Sequence, residues 1–217
     1  MGLIGRIENR DRNGNLKFVS DIIEEADGRV HFIADADIDA DGANGQNGGP
    51  VAYNNTDTGT DYLANAAMKI RADGKVVCKN ANARSIVILG PDNEPKVFSG
   101  GMIASKTWYR HRNRAENDPG AYVDSETVPY VVVPPLIVQE TVGVVRGCRA
   151  RVTFNGVAVE GVVADKGPSR KTGEISIAMA RALGIPSSPR NGGRSKADVL
   201  YELWPGQAAP GYELQPS

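Results

Sequence analysis

The sequence contains few of the features that mark specialised protein classes. Its two cysteines, Cys78 and Cys148, fit neither a disulfide framework nor a zinc motif, so we expect two buried thiols. No apolar run is long enough to span a membrane, and residues 1–6 lack the apolar core of a secretory signal. These absences predict a globular protein with no membrane partner and with no signal peptide visible in this chain.

A strong charge of one sign is also missing. Lys and Arg together number 25 and Asp and Glu 26, which gives a net charge of -1 and a pI near 6.2. No basic field therefore favours nucleic acid as a partner. At 217 residues with 41% hydrophobic content, the chain can bury one sizeable core. We expect a single main domain in a monomer.

Short apolar runs separated by turn residues predict a mainly β protein. The expected strands include residues 76–77, 85–89, 96–99, 102–105, 130–133, 157–164 and 198–205. Asn155 and Gly156 lie between two alternating runs, which is typical of a tight hairpin. We expect residues 1–30 to form an N-terminal arm or edge hairpin, residues 31–205 the main domain, and residues 206–217 a tail.

Two carboxylates lie at the two ends of one predicted loop. Asp165 ends a strand, and Glu174 precedes Ser176, the expected N-cap of a helix that Gly184 stops. Hydrolysis of a glycosidic bond needs one carboxylic acid to protonate the leaving oxygen and a second carboxylate to activate water or attack the sugar. Asp165 and Glu174 are therefore the candidate catalytic pair.

A second acidic segment alternates aspartate with apolar residues from residue 34 to residue 42. On an extended strand its four aspartates would project from one face: Asp35, Asp37, Asp39 and Asp41. Like charges this close need a metal ion, basic side chains or a polycationic substrate. The segment opens like a calcium-binding EF-hand loop, but Gly48 stands where the closing glutamate belongs. Calcium at Asp37, Asp39 and Asp41 is thus not favoured, and we expect no cofactor.

These segments resemble two known families. The Gly-Glu-Ile-Ser of residues 173–176 and the aspartate segment with residues 51–53 and 61–66 are similar to glycoside hydrolase family 75, the fungal-type chitosanases. The Asp-Lys-Gly-Pro of residues 165–168 resembles double-psi β-barrel lytic transglycosylases of the rare lipoprotein A type. The resemblance extends over residues 32–204.

The resemblance implies a six-stranded double-psi β-barrel with long loops, one short helix after the catalytic loop and an N-terminal extension. It implies an inverting, endo-acting chitosanase, secreted or acting on cell walls, with Glu174 as general acid and Asp165 as general base. Lys166 favours an ionised Asp165, but the helix start beside Glu174 also favours an anion there, so the residues alone leave the two roles open.

The expected substrate is a polysaccharide in an acidic groove. Candidate substrate-binding residues from the aspartate segment and from the segments similar to the family are Asp35, Asp37, Asp39, Asp41, Tyr53, Lys106, Thr107 and Trp108. The aspartates would hold the ammonium groups of glucosamine, and Trp108 would stack on a sugar ring. Two alternatives remain: a peptidoglycan-cleaving glycosidase or lytic transglycosylase, and a non-catalytic polysaccharide-binding barrel of the expansin kind.

Overall fold

The computed structural model describes residues 1–11 and 13–216. Its strands are β1 (Gly2–Arg10), β2 (Leu16–Glu24), β3 (Val30–Asp39), β4 (Tyr53–Asn54), β5 (Met68–Ile70), β6 (Val76–Cys78), β7 (Met102–Ile103), β8 (Tyr130–Val133), β9 (Cys148–Phe154), β10 (Val157–Lys166), β11 (Glu174–Ser176) and β12 (Arg194–Ala208). Its α-helices are α1 (Ala81–Ile86), α2 (Pro135–Glu140) and α3 (Ile177–Leu183). Short 3-10 turns occupy Gln46–Gly48, Ser99–Gly101 and Pro119–Ala121.

Six of these strands form a closed barrel. They pair in the order β3, β11, β8, β10, β9 and β12, and β12 returns to pair with β3. The β10–β8 and β11–β3 pairs are parallel, and the remaining pairs around the barrel are antiparallel. The predicted mainly β fold with a six-stranded barrel is therefore confirmed. The β1–β2 hairpin extends the sheet through the pairing of β2 with β3.

The local signals around the barrel mostly behave as predicted. Asn155 and Gly156 adopt φ of 48° and 81°, as a two-residue hairpin turn requires, and they join β9 to β10. Helix α3 begins at Ser176, whose hydroxyl accepts a hydrogen bond from the Met179 amide, and it ends at Gly184 with φ of 71°. These elements place Asp165 on β10 and Glu174 on β11, the two strands that pair with β8 from opposite sides in the barrel wall.

The barrel interior is apolar and holds the stacked rings of Phe32 and Tyr201, whose centroids lie 4.9 Å apart. Helix α3 adds Met179 and Leu183 to this core. Both cysteines are buried and free, as predicted. Among the described helices, none has the length and apolar character needed to cross a membrane.

Some predicted strands are wrong. Much of residues 85–89 belongs instead to the end of helix α1 and an isolated bridge at Val87, because the Asn80 side chain caps the helix by accepting a hydrogen bond from the Ala83 amide. Residues 96–99 contribute an isolated bridge between Val97 and Ile103 in place of a strand. Helix α2 was not predicted; its first residue is Pro135, whose fixed φ suits a helix start.

Candidate active site

A groove of about 1000 Å³ opens beside strands β3, β8, β10 and β11. Its lining includes nine of the ten residues predicted to carry the site: Asp37, Asp39, Asp41, Tyr53, Lys106, Thr107, Trp108, Asp165 and Glu174. The fold thus gathers residues from four separate segments of the chain around one cleft.

Asp165 and Glu174 lie on either side of a single valine. In the parallel β10–β8 pair Asp165 is the register partner of Val132, and in the antiparallel β11–β8 pair Glu174 is also the partner of Val132. Register partners on neighbouring strands project from the same face, and strands lie about 4.8 Å apart, so the two acidic Cα atoms are separated by roughly 10 Å. Asp37 continues the same row, since it is the β3 partner of Glu174.

Glu174 lies in surroundings that favour its neutral form. Burial raises its pKa to about 7, and the negative charges of Asp39 and Asp37 act in the same direction. The positive charge of Lys171 opposes this rise, but its ammonium group is held 2.6 Å from Asp37. Glu174 can therefore keep a proton close to neutral pH.

Asp165 is held more firmly. Its Oδ1 accepts hydrogen bonds from the backbone amides of Lys166 at 2.8 Å and Trp108 at 2.9 Å. Burial raises the pKa of Asp165 to about 7, as it does for Glu174, and these two amides oppose the rise because they stabilise the anion. The carboxylate is thus fixed in orientation by backbone groups at the end of β10.

Asp39, Asp41 and Asp165 form a compact cluster whose carboxylate oxygens lie within 4.8 Å of one another. The Tyr130 hydroxyl lies 2.9 Å from Asp39 Oδ2, to which it donates, and 2.9 Å from the Asp41 carbonyl, while Asp39 Oδ1 accepts from the Asp41 amide. Burial, reinforced by the charge of Asp165, raises the pKa of Asp39. Such a cluster can share protons or hold a cation, and its third member is Asp165 where the EF-hand-like spacing had suggested Asp37.

One predicted substrate contact needs correction. Asp35 does not line the groove; its side chain is 3% exposed and its Oδ2 lies 2.7 Å from the Lys17 ammonium group. Gly173, with φ of 81°, packs so closely over Asp35 that an added Cβ would lie 2.4 Å from Asp35 Oδ1. The β1–β2 hairpin and the loop before β11 cover this aspartate, through contacts between segments that are distant in the sequence.

The remaining predicted contacts differ in exposure. Trp108 is half-buried, and the ammonium of Lys166 lies 5.3 Å from its ring centroid. Lys106 is also half-buried, and burial lowers its pKa. Tyr53 and Thr107 are buried, and their hydroxyls donate to Asp61 at 3.2 Å and to the carbonyl of residue 109 at 2.9 Å. They shape the floor of the groove, whereas Trp108 presents a surface to a ligand.

Several lining residues were not singled out from the sequence. They are Asp61, Arg110, Glu116, Arg146, Lys171 and Arg190. Asp61 lies in a segment already quoted for its resemblance, and Lys171 lies in the loop between the two candidate catalytic residues, so both could have been found. Because four of the six are basic, the groove is not uniformly acidic as expected. Arg146 packs over the ring of Trp108, whereas Lys171 pairs with Asp37 and Arg190 lies beside Asp61.

A comparison with known protein families agrees with this geometry. The sequence profile of one family, described as "Fungal chitosanase of glycosyl hydrolase group 75", matches residues 36–215. The matched range contains both Asp165 and Glu174 and begins after the β1–β2 hairpin. A search among curated proteins gave no match.

Proposed function

Because this chain belongs to the fungal chitosanase family, glycosyl hydrolase group 75, we propose that it is an endo-acting hydrolase of chitosan. Membership of the family makes the chain a glycoside hydrolase. We propose that the bond it cleaves is the β-1,4 link between glucosamine units. The observation that carries it is the placement of Asp165 and Glu174 on the two strands that flank Val132, facing one groove.

The separation of these residues suits inversion at the anomeric carbon. Inverting enzymes hold their two carboxyl groups about 6.5 to 9.5 Å apart, which leaves room for a water molecule. A Cα separation of roughly 10 Å across β8 lets the side chains reach that distance by leaning toward each other. A retaining enzyme would need the carboxyl groups at about 5 Å, which is the distance between adjacent strands.

Burial raises the pKa of both carboxyl groups to about 7, so a division of roles is supported by their hydrogen bonds and not by their proton affinities. Glu174, with its pKa raised to about 7, can carry a proton to the leaving glycosidic oxygen as the general acid. Asp165 has its Oδ1 fixed by two backbone amides, so that Oδ2 can take a proton from the attacking water as the general base. The bond from the anomeric carbon to the leaving oxygen breaks as the bond to the water oxygen forms.

The acidic side chains of the groove favour the binding of a cationic substrate. Asp37 and Asp61 are half-buried or buried at the groove wall, where they can pair with the ammonium groups of glucosamine. Trp108 offers an aromatic face to a neighbouring sugar ring. We further propose that the protein works as a monomer, without a cofactor, on polymer outside the cell.

A second enzyme function has one observation in its favour. The basic residues around Trp108, namely Lys106, Arg110, Arg146 and Lys166, suit a substrate that carries carboxylates, as the glycan and stem peptides of peptidoglycan do. A peptidoglycan-cleaving glycosidase or lytic transglycosylase would use this end of the groove. A non-catalytic barrel of the expansin kind would use the same surfaces without cleaving anything.

Incubation with two polymers separates these functions. The protein is mixed with partly acetylated chitosan and, in parallel, with purified peptidoglycan sacculi, and soluble oligosaccharides are measured by mass spectrometry. Chitosanase action predicts glucosamine oligomers from chitosan and little release from sacculi. Release from sacculi alone would favour the peptidoglycan enzyme, and no release from either polymer would favour a binding barrel.

A further inference from the structure

The N-terminal hairpin lies outside the range that matches the family, yet it is built into the barrel. Ile7 on β1 and Ile22 on β2 are buried in the same apolar cluster as Phe32 of the barrel. Strand β2 also pairs with β3 through Ile23 and Glu24. This hairpin is therefore a packed part of the fold and does not behave as a loose arm.

Two polar residues interrupt the apolar inward face of this hairpin. Asn9 on β1 and Ser20 on β2 are 3% and 1% exposed, and they meet Thr172, which is 1% exposed, in the loop before β11. Asn9 Oδ1 accepts from the Thr172 amide at 2.8 Å, and Asn9 Nδ2 donates to the Thr172 hydroxyl at 3.0 Å. The Ser20 hydroxyl lies 2.8 Å from the Thr172 hydroxyl. Every polar group of Thr172 in this contact is thus held by the hairpin.

The hairpin also holds the next residue of the loop from the other side. Lys17 on β2 pairs with Asp35 at 2.7 Å, and Asp35 packs directly against Gly173. The Gly173 carbonyl accepts a hydrogen bond from the Asp37 amide at 2.7 Å. The two residues that precede Glu174 are consequently fixed between the hairpin and β3.

Thr172 lies between the proposed general acid, Glu174, and Lys171, the positive charge that opposes its protonation. Lys171 precedes it and Glu174 follows two residues later, and the charge of Lys171 opposes the burial that raises the pKa of Glu174. A loosened loop would let water reach Glu174 and would change its distance from Lys171. Among the described residues of β1 and β2, Asn9 and Ser20 are the two buried polar ones, and the other two buried residues are Ile7 and Ile22.

We propose that the N-terminal hairpin is a functional part of the active site, in which Asn9 acts as a positioning residue: it holds Thr172 and so fixes the Glu174 side chain in the groove. Asn9 does not touch the substrate. This inference rests on the proposed function for its catalytic meaning, but the position and proton affinity of Glu174 can be measured without a substrate.

The test compares variants by two independent measurements. The Glu174 carboxyl is titrated by carbon-13 NMR, with its signal assigned by its loss in Glu174→Gln, in the wild type, Asn9→Ala and Asp21→Ala. Asp21 forms an exposed pair with Arg6 on the outward face of the same hairpin and serves as the matched control. The same proteins are then assayed on chitosan at a temperature where circular dichroism shows each to be folded.

In Asn9→Ala we expect the Glu174 pKa to fall toward its usual range and kcat to drop ~10- to 100-fold, with KM little changed. The alkaline limb of the kcat/KM profile should move to lower pH by the same amount as the NMR titration. Asp21→Ala should match the wild type in the Glu174 pKa, in kcat and in the pH profile of kcat/KM. Thr172→Ser, which keeps the hydroxyl, should stay near the wild type, and Thr172→Val should resemble Asn9→Ala.

An Asn9→Ala protein that is folded but has an unchanged Glu174 titration and unchanged kcat would overturn the inference, as would equal effects in Asp21→Ala. If Asn9→Ala does not fold, the Thr172→Ser and Thr172→Val pair decides in the same way. If the wild type cleaves no chitosan, the proposed function is contradicted but the inference about the hairpin is not. The NMR titration would still decide whether the hairpin positions Glu174.

Discussion

Asp165 and Glu174 are both register partners of Val132, from opposite sides of strand β8. One strand therefore sets the distance between the proposed base and the proposed acid. Because β8 pairs in parallel with β10 and antiparallel with β11, a strand end and a strand start meet at this row. The hydrolytic geometry is thus a property of barrel topology more than of the loop that joins the two residues.

Removing either carboxylate should abolish turnover without unfolding the protein. We expect Asp165→Asn and Glu174→Gln each to lower kcat on chitosan ~10³-fold or more, because each removes a proton-transfer group. Reducing-end release and circular dichroism check the result. If Glu174→Gln kept much of its activity while Asp165→Asn lost it, the mechanism would need one acid only, as in the peptidoglycan-cleaving alternative.

Stability should fall as the pH rises toward neutrality. The folded pKa of Glu174 is raised from 4.5 to about 7, so its contribution is fully present below 4.5 and is lost as the pH rises through about 7. Glu174→Gln should therefore gain stability relative to the wild type at pH 8, by roughly 1 to 3 kcal/mol, and show little gain at pH 4. Urea unfolding at both pH values measures this. An equal gain at both would contradict the raised pKa.

The Tyr130 hydroxyl should be needed for stability beneath the groove. It is buried and donates to Asp39, so Tyr130→Phe leaves a buried carboxyl group without that donor. We expect a loss of about 1 to 3 kcal/mol in the free energy of unfolding. Tyr62→Phe alters an exposed tyrosine at the protein surface and should change stability little. Equal effects of the two substitutions would argue against the Tyr130–Asp39 contact.

Trp108 should contribute to polymer binding more than to bond cleavage. Trp108→Ala removes the half-buried aromatic face at the groove wall, and we expect KM for long chitosan to rise about tenfold, a loss of ~1.4 kcal/mol, with a smaller change in kcat. Trp204→Phe changes the other tryptophan, on β12 outside the groove lining, and serves as control. A fall in kcat alone for Trp108→Ala would instead indicate that Trp108 positions the reacting sugar.

Chelation should leave activity unchanged. Asp39 and Asp165, the two cluster members that lie on the barrel strands, accept hydrogen bonds from Tyr130 and from backbone amides. Because the pKa values of Asp39 and Asp165 are raised, bound protons can neutralise the negative charge of the cluster in place of a cation. Kinetics before and after treatment with a chelator, and with calcium added back, check this. Restoration of lost activity by calcium would show that the cluster is a metal site.

Local signals in the sequence were sufficient to predict the strand that ends near Asp165 and the helix after Glu174, but not the short strand β11 that carries Glu174. Asn155-Gly156, Ser176 and Gly184 act through backbone conformation or through neighbours a few residues away, so the turn, the N-cap and the C-cap follow from the residues themselves. The acidic strand was recognised for a similar reason, because the alternation of residue types is itself the strand period.

Contacts between distant segments could not be predicted in this way. The position of Asp35 depends on Lys17 and Gly173, which lie on other elements, and a period of two could not distinguish it from Asp37. The apolar run at residues 86–89 fitted a strand, but the cap at Asn80 extended a helix into it. The role of Asn9 could not be predicted because its partner Thr172 lies 163 residues away.

The configuration of the first product decides whether Asp165 and Glu174 act as an inverting pair on chitosan. Proton NMR can follow the anomeric signals of oligomers released from fully deacetylated chitosan during the first minutes, before mutarotation mixes them. The α-anomer should appear first at the new reducing ends. Initial release of the β-anomer would show that the configuration is retained, and a spectrum without new reducing ends would contradict hydrolysis itself.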